Sequence, residues 1–130
     1  RPVRQFMRPL ATAAEGMATQ QKFMEVIAAN IANAETTRTP EGGPYQRQVA
    51  SAASDPQTGT TGVGVTADPQ PGRRLYEPGH PDADADGFVL YPNVDISMEL
   101  VDLMLVRRVH EANASVFQAA KSMLRRALDI

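Results

Sequence analysis

The sequence predicts a mainly α-helical chain with a small β part: a long helix at each end and a short-stranded middle. Two observations carry this. Glycine and proline are segregated, and both ends have apolar residues at heptad spacing. Residues 1–38 contain one glycine (Gly16) and no proline after Pro9. Residues 39–91 hold eight of the nine glycines and seven of the ten prolines. Residues 92–130 have no glycine, and their only proline is Pro92. These two residues punctuate local structure, so the glycine-poor ends read as helices and the middle as turns and short strands. The division into units follows: residues 1–38 and 92–130 as a helical, coiled-coil part, and residues 39–91 as a loop and short-strand segment.

The first helix is expected over residues 3–33. Val3, Met7, Leu10, Ala14, Met17, Gln21, Met24, Ala28 and Ile31 alternate by four and three, and only Gln21 is polar. An average spacing of about 3.5 keeps one seam on a partner helix. Phe6, Ala13 and Ile27 widen that seam, and Ala14 and Ala28 allow close approach. Asn30 and Asn33 share a face at the helix end, where asparagine satisfies terminal carbonyls and tolerates the left-handed conformation. In the middle, strands are expected over residues 45–50, 62–66, 73–76 and 87–91, with residues 51–61 as a polar mobile loop. The last helix is expected to start at Asp95, an N-cap residue after Pro92-Asn93. Val101, Leu105, Val109, Ala112, Val116, Ala119 and Met123 form its seam, with a stutter at Leu105–Val109–Ala112. Leu103, Val106, Phe117, Ala120 and Leu124 form a second apolar row. One partner helix needs only one row, so the other is expected to face a neighbouring subunit. The terminal helices are expected to be weakly ordered alone and to firm up on assembly.

Charge and composition exclude several functions. A net charge of −2 points to neither nucleic acid nor an anionic membrane. With no cysteine there is no disulfide framework, thiol catalysis or Cys-based zinc site. No apolar run reaches the roughly 18–20 residues of a membrane span. No apolar segment follows Arg1, Arg4 and Arg8, so no secretory signal peptide is expected. Asp82, Asp84, Asp86 and Gly87 imitate the start of an EF-hand loop. The twelfth position is Asn93 rather than a bidentate Glu, and no helix precedes the loop. A calcium-binding module at Asp82/Asp84/Asp86 is therefore the alternative reading, and an Asp-rich turn the preferred one. His80 reads as a turn residue, and His110 lies between seam positions without metal spacing. Asp95 and Glu99 sit at a helix start, where the dipole accounts for them. Arg107-Arg108 and Arg125-Arg126 read as a salt-bridged or solvated face. No catalytic constellation is visible, so no enzyme activity, cofactor or metal is expected.

Several stretches in order resemble one family. Residues 28–34 (AANIANA) look like the A-x-N-[LI]-A-N signature of bacterial flagellar axial proteins (rod, hook and hook–filament junction). TTRTPEGGPY (36–45), YEPGHPDADADGFV (76–89), YPNVD (91–95) and the C-terminal EAN, AKSML and LDI are similar to the proximal-rod members. The resemblance implies terminal helices paired as an antiparallel coiled-coil layer with an outer β-containing part. It implies a structural subunit of the proximal rod or drive shaft, polymerising head-to-tail and transmitting torque across the periplasm. Export would be by the flagellar type III system without a cleaved signal. The implied partners are other rod proteins, the MS-ring adaptor at the rod base and copies of itself. The expected subunit contacts are Val3, Met7, Leu10, Met17, Met24, Asn30, Ile31, Asn33, Thr36 and Arg38 on the N-terminal side. Val101, Leu105, Val109, Ala112, Val116, Phe117, Met123, Leu124, Leu128 and Ile130 are those on the C-terminal side. Another axial protein of the same family is the closer alternative.

Overall fold

The computed structural model describes residues 2–129, and side chains from Arg4 onward. The expected contacts Val3 and Ile130 lie outside the residues with described side chains. The order of elements is α1 (Pro2–Ala32), β1 (Gln48–Ser54), β2 (Thr61–Ala67), β3 (Arg74–Tyr76), β4 (Phe88–Leu90) and α2 (Ile96–Leu128). The mainly α architecture with a small β part is the expected one.

The two helices run antiparallel along nearly their whole length. Gln20 Oε1 accepts from Asn113 Nδ2 at 2.8 Å, and Asn30 near the end of α1 meets Glu99 at the start of α2. The residue of α2 beside a position of α1 thus has a number about 129–133 minus that position. At about 1.5 Å per residue the pair is roughly 45 Å long. Asp95 caps α2 as expected, its carboxylate accepting from Ser97 N (3.0 Å) and Met98 N (3.5 Å).

The seams are rotated relative to the sequence reading. On α1 the covered face runs through Phe6, Leu10, Ala13, Met17, Gln20, Met24 and Ile27, while Met7, Ala14, Gln21 and Ala28 are exposed. The two sets share Leu10, Met17 and Met24, while Phe6, Ala13, Gln20 and Ile27 take the place of Met7, Ala14, Gln21 and Ala28, each one residue or about 100° back around the helix. The inner set wins because its flank also carries Phe23, Val26 and Asn30, which lie against the β1–β2 hairpin. On α2, the row facing α1 is the second one: Leu103, Val106, Phe117, Ala120 and Leu124, with Asn113 in register. The longer row, Val101 to Met123, is exposed throughout.

β1 and β2 form an antiparallel hairpin from Gln48↔Ala67 to Ser54↔Thr61. This corrects the expected mobile loop: residues 51–54 belong to β1, and only residues 55–60 turn. Alternation of small residues is too weak a signal to mark this strand, but α1 supplies a surface for it. The hairpin is tied to α1 at both ends. Asn30 binds Gln48, and Glu15 accepts from the Thr61 backbone N–H. Fifteen helical residues span roughly 22 Å, and the seven residues of β1 about 23 Å, so the lengths match.

β3 and β4 pair as a shorter antiparallel ladder, Arg74↔Leu90 to Tyr76↔Phe88. Tyr76 meets Phe88 edge-on at 5.2 Å, and the Arg74 guanidinium lies 3.8 Å over the Phe88 ring. Val89, Tyr91, Pro92 and Val94 bury a small core here. Gly72 crosses the Tyr91 carbonyl so closely that a Cβ would lie 1.8 Å from its oxygen. Gly87 has φ +87°, and a Cβ there would lie 2.8 Å from the Tyr76 ring. Gly87→Ala is therefore expected to cost about 1–3 kcal/mol, readable as a lowered urea midpoint. An unchanged midpoint would contradict the strained geometry.

Candidate functional site

Two features organise the surface: a polar joint where the helices meet the β part, and an open apolar face on α2. The joint is built around Asn30 and Glu99, each 1% exposed. Asn30 behaves like a strand partner. Its Oδ1 accepts from Gln48 N (2.9 Å), its Nδ2 donates to Gln48 O (2.8 Å), and the Tyr45 hydroxyl donates to the same Oδ1 (2.8 Å). Its Nδ2 also lies 3.4 Å from Glu99 Oε2. Arg47 closes the network. Its Nε donates to Glu99 Oε1, and its terminal nitrogens lie 3.2 Å from Asp68 and 3.9 Å from Asp102. The Glu99 hydrogen bond, more than any other contact, holds the Arg47 pKa above its ordinary value. Burial, then the Glu99 charge, pushes the Tyr45 phenol up.

Asn93, the twelfth position of the EF-hand-like stretch, is a clamp. Its Oδ1 accepts from Arg47 N (2.7 Å), and its Nδ2 donates to the carbonyls of Asp68 (3.1 Å) and Gln70 (2.9 Å). It thereby fixes the start of β1 and the end of β2 to the lead-in of α2. The aspartates do not converge. Asp82 accepts from Thr37 Oγ1 (2.6 Å) and Arg38 Nε (2.7 Å), tying the 36–45 stretch to the turn. The Thr37 hydroxyl, and then Arg38, hold its carboxyl below the usual range. Asp84 accepts from the backbone of Asp86 and Phe88 at 2.9 Å each, and the Phe88 bond leads in lowering its pKa. Among the described residues no three His, Cys, Asp or Glu side chains are grouped to hold a metal ion. Asp84 thus closes its own turn and pairs with Arg74, while Asp82 holds the turn to Thr37 and Arg38.

Of the expected contact residues, the structure brings Asn30 into the joint. Asn33 closes α1, donating to Ala29 O (2.9 Å) and accepting from Thr36 Oγ1 (3.1 Å). No non-glycine residue among those described has positive φ, so α1 ends without a left-handed asparagine. Leu10, Met17, Met24, Ile31, Phe117 and Leu124 lie in or beside the helix pair. Met7, Val101, Leu105, Val109, Ala112, Val116, Met123 and Leu128 stand open. Sequence reasoning missed Arg47, Asn93 and the role of Glu99, which it took for a dipole-stabilised terminal carboxylate. The signal was present for Glu99, because it falls in register with Leu103, Val106 and Ala120 on the inward face.

Among the described residues, ten of the fifteen exposed large apolar side chains lie on α2. Met98, Leu105, Val109, Val116 and Met123 form one stripe at steps of three or four or their sums, each about half exposed. Leu105 borders a cavity of about 260 Å³ with Phe23, Val26 and Val49, and Val116 one of about 520 Å³ with Pro9 and Thr12. No helix among the described residues is long and apolar enough to cross a membrane.

A family model described as "Flagella basal body rod protein" matches residues 10–38, and "Flagellar basal body rod FlgEFG protein C-terminal" matches residues 85–130. The chain is 37% identical to "Flagellar basal-body rod protein FlgC" of Salmonella typhimurium over 91% of this chain and 92% of that protein. It is 36% identical to the Borreliella burgdorferi protein of the same description over 91% and 92%. The Bacillus subtilis counterpart is 35% identical over 93% and 95%. With likeness of this extent along nearly its full length, the chain belongs to the FlgC family of flagellar basal-body rod proteins.

Proposed function

We propose that the chain is a non-catalytic, torque-bearing subunit of the proximal rod, held in the basal body by its helix pair. The open apolar face of α2 is the observation that carries this. A lone subunit leaves ten large apolar side chains of one helix about half exposed, and covering the open half of each is worth roughly half of the about 1.5–3 kcal/mol of a full burial. Residues 1–38 and 92–130 form the inner helical part of the assembly and residues 39–91 the outer part. Neighbouring axial proteins, copies of the chain and the adaptor at the MS ring cover the stripe from Met98 to Met123. The same stripe, uncovered during type III export, leaves the helices weakly held until assembly in the periplasm. The Asn30–Glu99 joint sets the angle between the two parts.

A pair of charges on the open stripe tests this. Leu105→Asp with Val109→Asp is expected to leave the helical circular dichroism of the purified chain unchanged. Cells carrying only that variant are expected to lose the chain from purified basal bodies and to lose motility. Deleting residues 128–130 is expected to block rod assembly too. Motile cells with normal rods in both strains would refute the proposal.

A further inference from the structure

The chain has six methionines and no cysteine, so the thioether is its only sulfur group. The methionines are graded in exposure. Met17 and Met24 are half-buried in the seam of α1 against α2. Met7, Met98, Met104 and Met123 are 52%, 57%, 65% and 52% exposed. Met98 stands at one end of the open stripe of α2 and Met123 at the other, roughly 37 Å apart along the helix. Leu105, Val109 and Val116 lie between them. Met104 precedes Leu105 and lies about 100° round the helix from it, off the stripe.

Packing does not require sulfur at either end of the stripe. Leucine has a similar volume and is as good a helix former. Methionine adds a thioether that a two-electron oxidant can reach. The sulfur takes one oxygen atom from a peroxide, the O–O bond breaks and the rest leaves as water. Sulfur is oxidised by two electrons and the peroxide is reduced by two. A dithiol reverses the step, removing the oxygen as water and becoming a disulfide. The sulfoxide is polar and accepts hydrogen bonds. On a free subunit it is solvated, and neither Met98 nor Met123 lies in the α1–α2 seam, so the helix pair keeps its packing. Under a covering neighbour the same oxygen would be buried on an apolar stripe, away from water.

Resting on the rod-subunit reading, we propose that Met98 and Met123 are a reversible oxidation site that decides whether a free subunit can enter the rod. The reduced chain offers an unbroken apolar stripe. The oxidised chain carries a polar group at both ends of it and is held back until a dithiol-dependent reductase restores the thioethers. No thiol in the chain consumes the oxidant first. Once covered by a neighbour, both sulfurs are shielded.

Peptide mass mapping of the purified full chain after hydrogen peroxide is expected to find sulfoxide at Met98, Met104 and Met123 before Met17 and Met24, with helical circular dichroism unchanged. The second test uses cells lacking methionine sulfoxide reductases, with the chain induced only in the presence of peroxide. Sulfoxide at Met98 and Met123 is expected to be about tenfold or more rarer in chain from basal bodies than in the unassembled pool. At Met104 the two pools are expected to match. Met98→Gln/Met123→Gln places a permanent polar amide at both sites and is expected to lose the chain from basal bodies without any oxidant. Met104→Gln is expected to be retained. Equal sulfoxide at Met98 and Met123 in the two pools, equal depletion at Met104, or basal bodies built with Met98→Gln/Met123→Gln would overturn the proposal. The rod reading is scored separately. If cells lacking the chain are immotile but basal bodies carry the two sulfoxides freely, only the oxidation site falls. If cells lacking the chain stay motile, the rod reading falls.

Discussion

Arg47→Met is expected to destabilise the chain by about 3–5 kcal/mol, because it strands Glu99 as a buried carboxylate without its cation. Glu99 is 1% exposed, and among the described residues its one other side-chain partner is the Asn30 amide at 3.4 Å. Asp68 and Asp102 would then add like charge around it. Replacing both members, as Arg47→Met/Glu99→Leu, is expected to recover most of the loss, since an apolar pair of similar volume removes the desolvation cost. Urea denaturation followed by circular dichroism gives both values. A single variant that loses less than about 1 kcal/mol would show that Arg47 is not what balances Glu99.

The second large effect is expected at Asn30. Asn30→Ala leaves the Gln48 N–H, the Gln48 carbonyl and the Tyr45 hydroxyl without their partner, a loss of about 2–4 kcal/mol. Asn30→Asp is expected to be worse. The new carboxylate keeps the acceptor but faces the Gln48 carbonyl and Glu99, where the amide had donated. Hydrogen exchange distinguishes this from general weakening: the Gln48 amide is expected to lose protection before amides at the middle of α2. Equal loss at both would show that Asn30 has no special hold on β1. Asn30 holds the hairpin on α1 at the start of β1, and Glu15 holds it at the start of β2.

The helices were legible because their signals are local. A glycine-free heptad run and an aspartate N-cap identify α2 without reference to anything else, and α1 is read from its heptad run alone, which Gly16 does not break. The Asp82–Asp86 turn was also legible. Asn93 at the twelfth position removes the calcium ligand, and the structure shows that residue clamping the β part instead. β1 was partly misread because QVASAAS has neither bulk nor clean alternation. It becomes a strand because α1 offers Asn30 to its first residue and β2, held to α1 by Glu15 at Thr61, pairs along its whole length.

Sequence alone determined that each end forms a long helix, that α2 carries two apolar rows, and that the chain resembles the flagellar axial proteins. Only the tertiary structure decided which row of α2 is covered. Both rows have heptad spacing and differ by a rotation of about 100°, so periodicity cannot choose between them. Glu99 stands in register with Leu103, Val106 and Phe117, so the side of α2 that meets Arg47 across 52 positions of sequence is also the side that packs on α1, and Leu105, Val109 and Val116 stand outside.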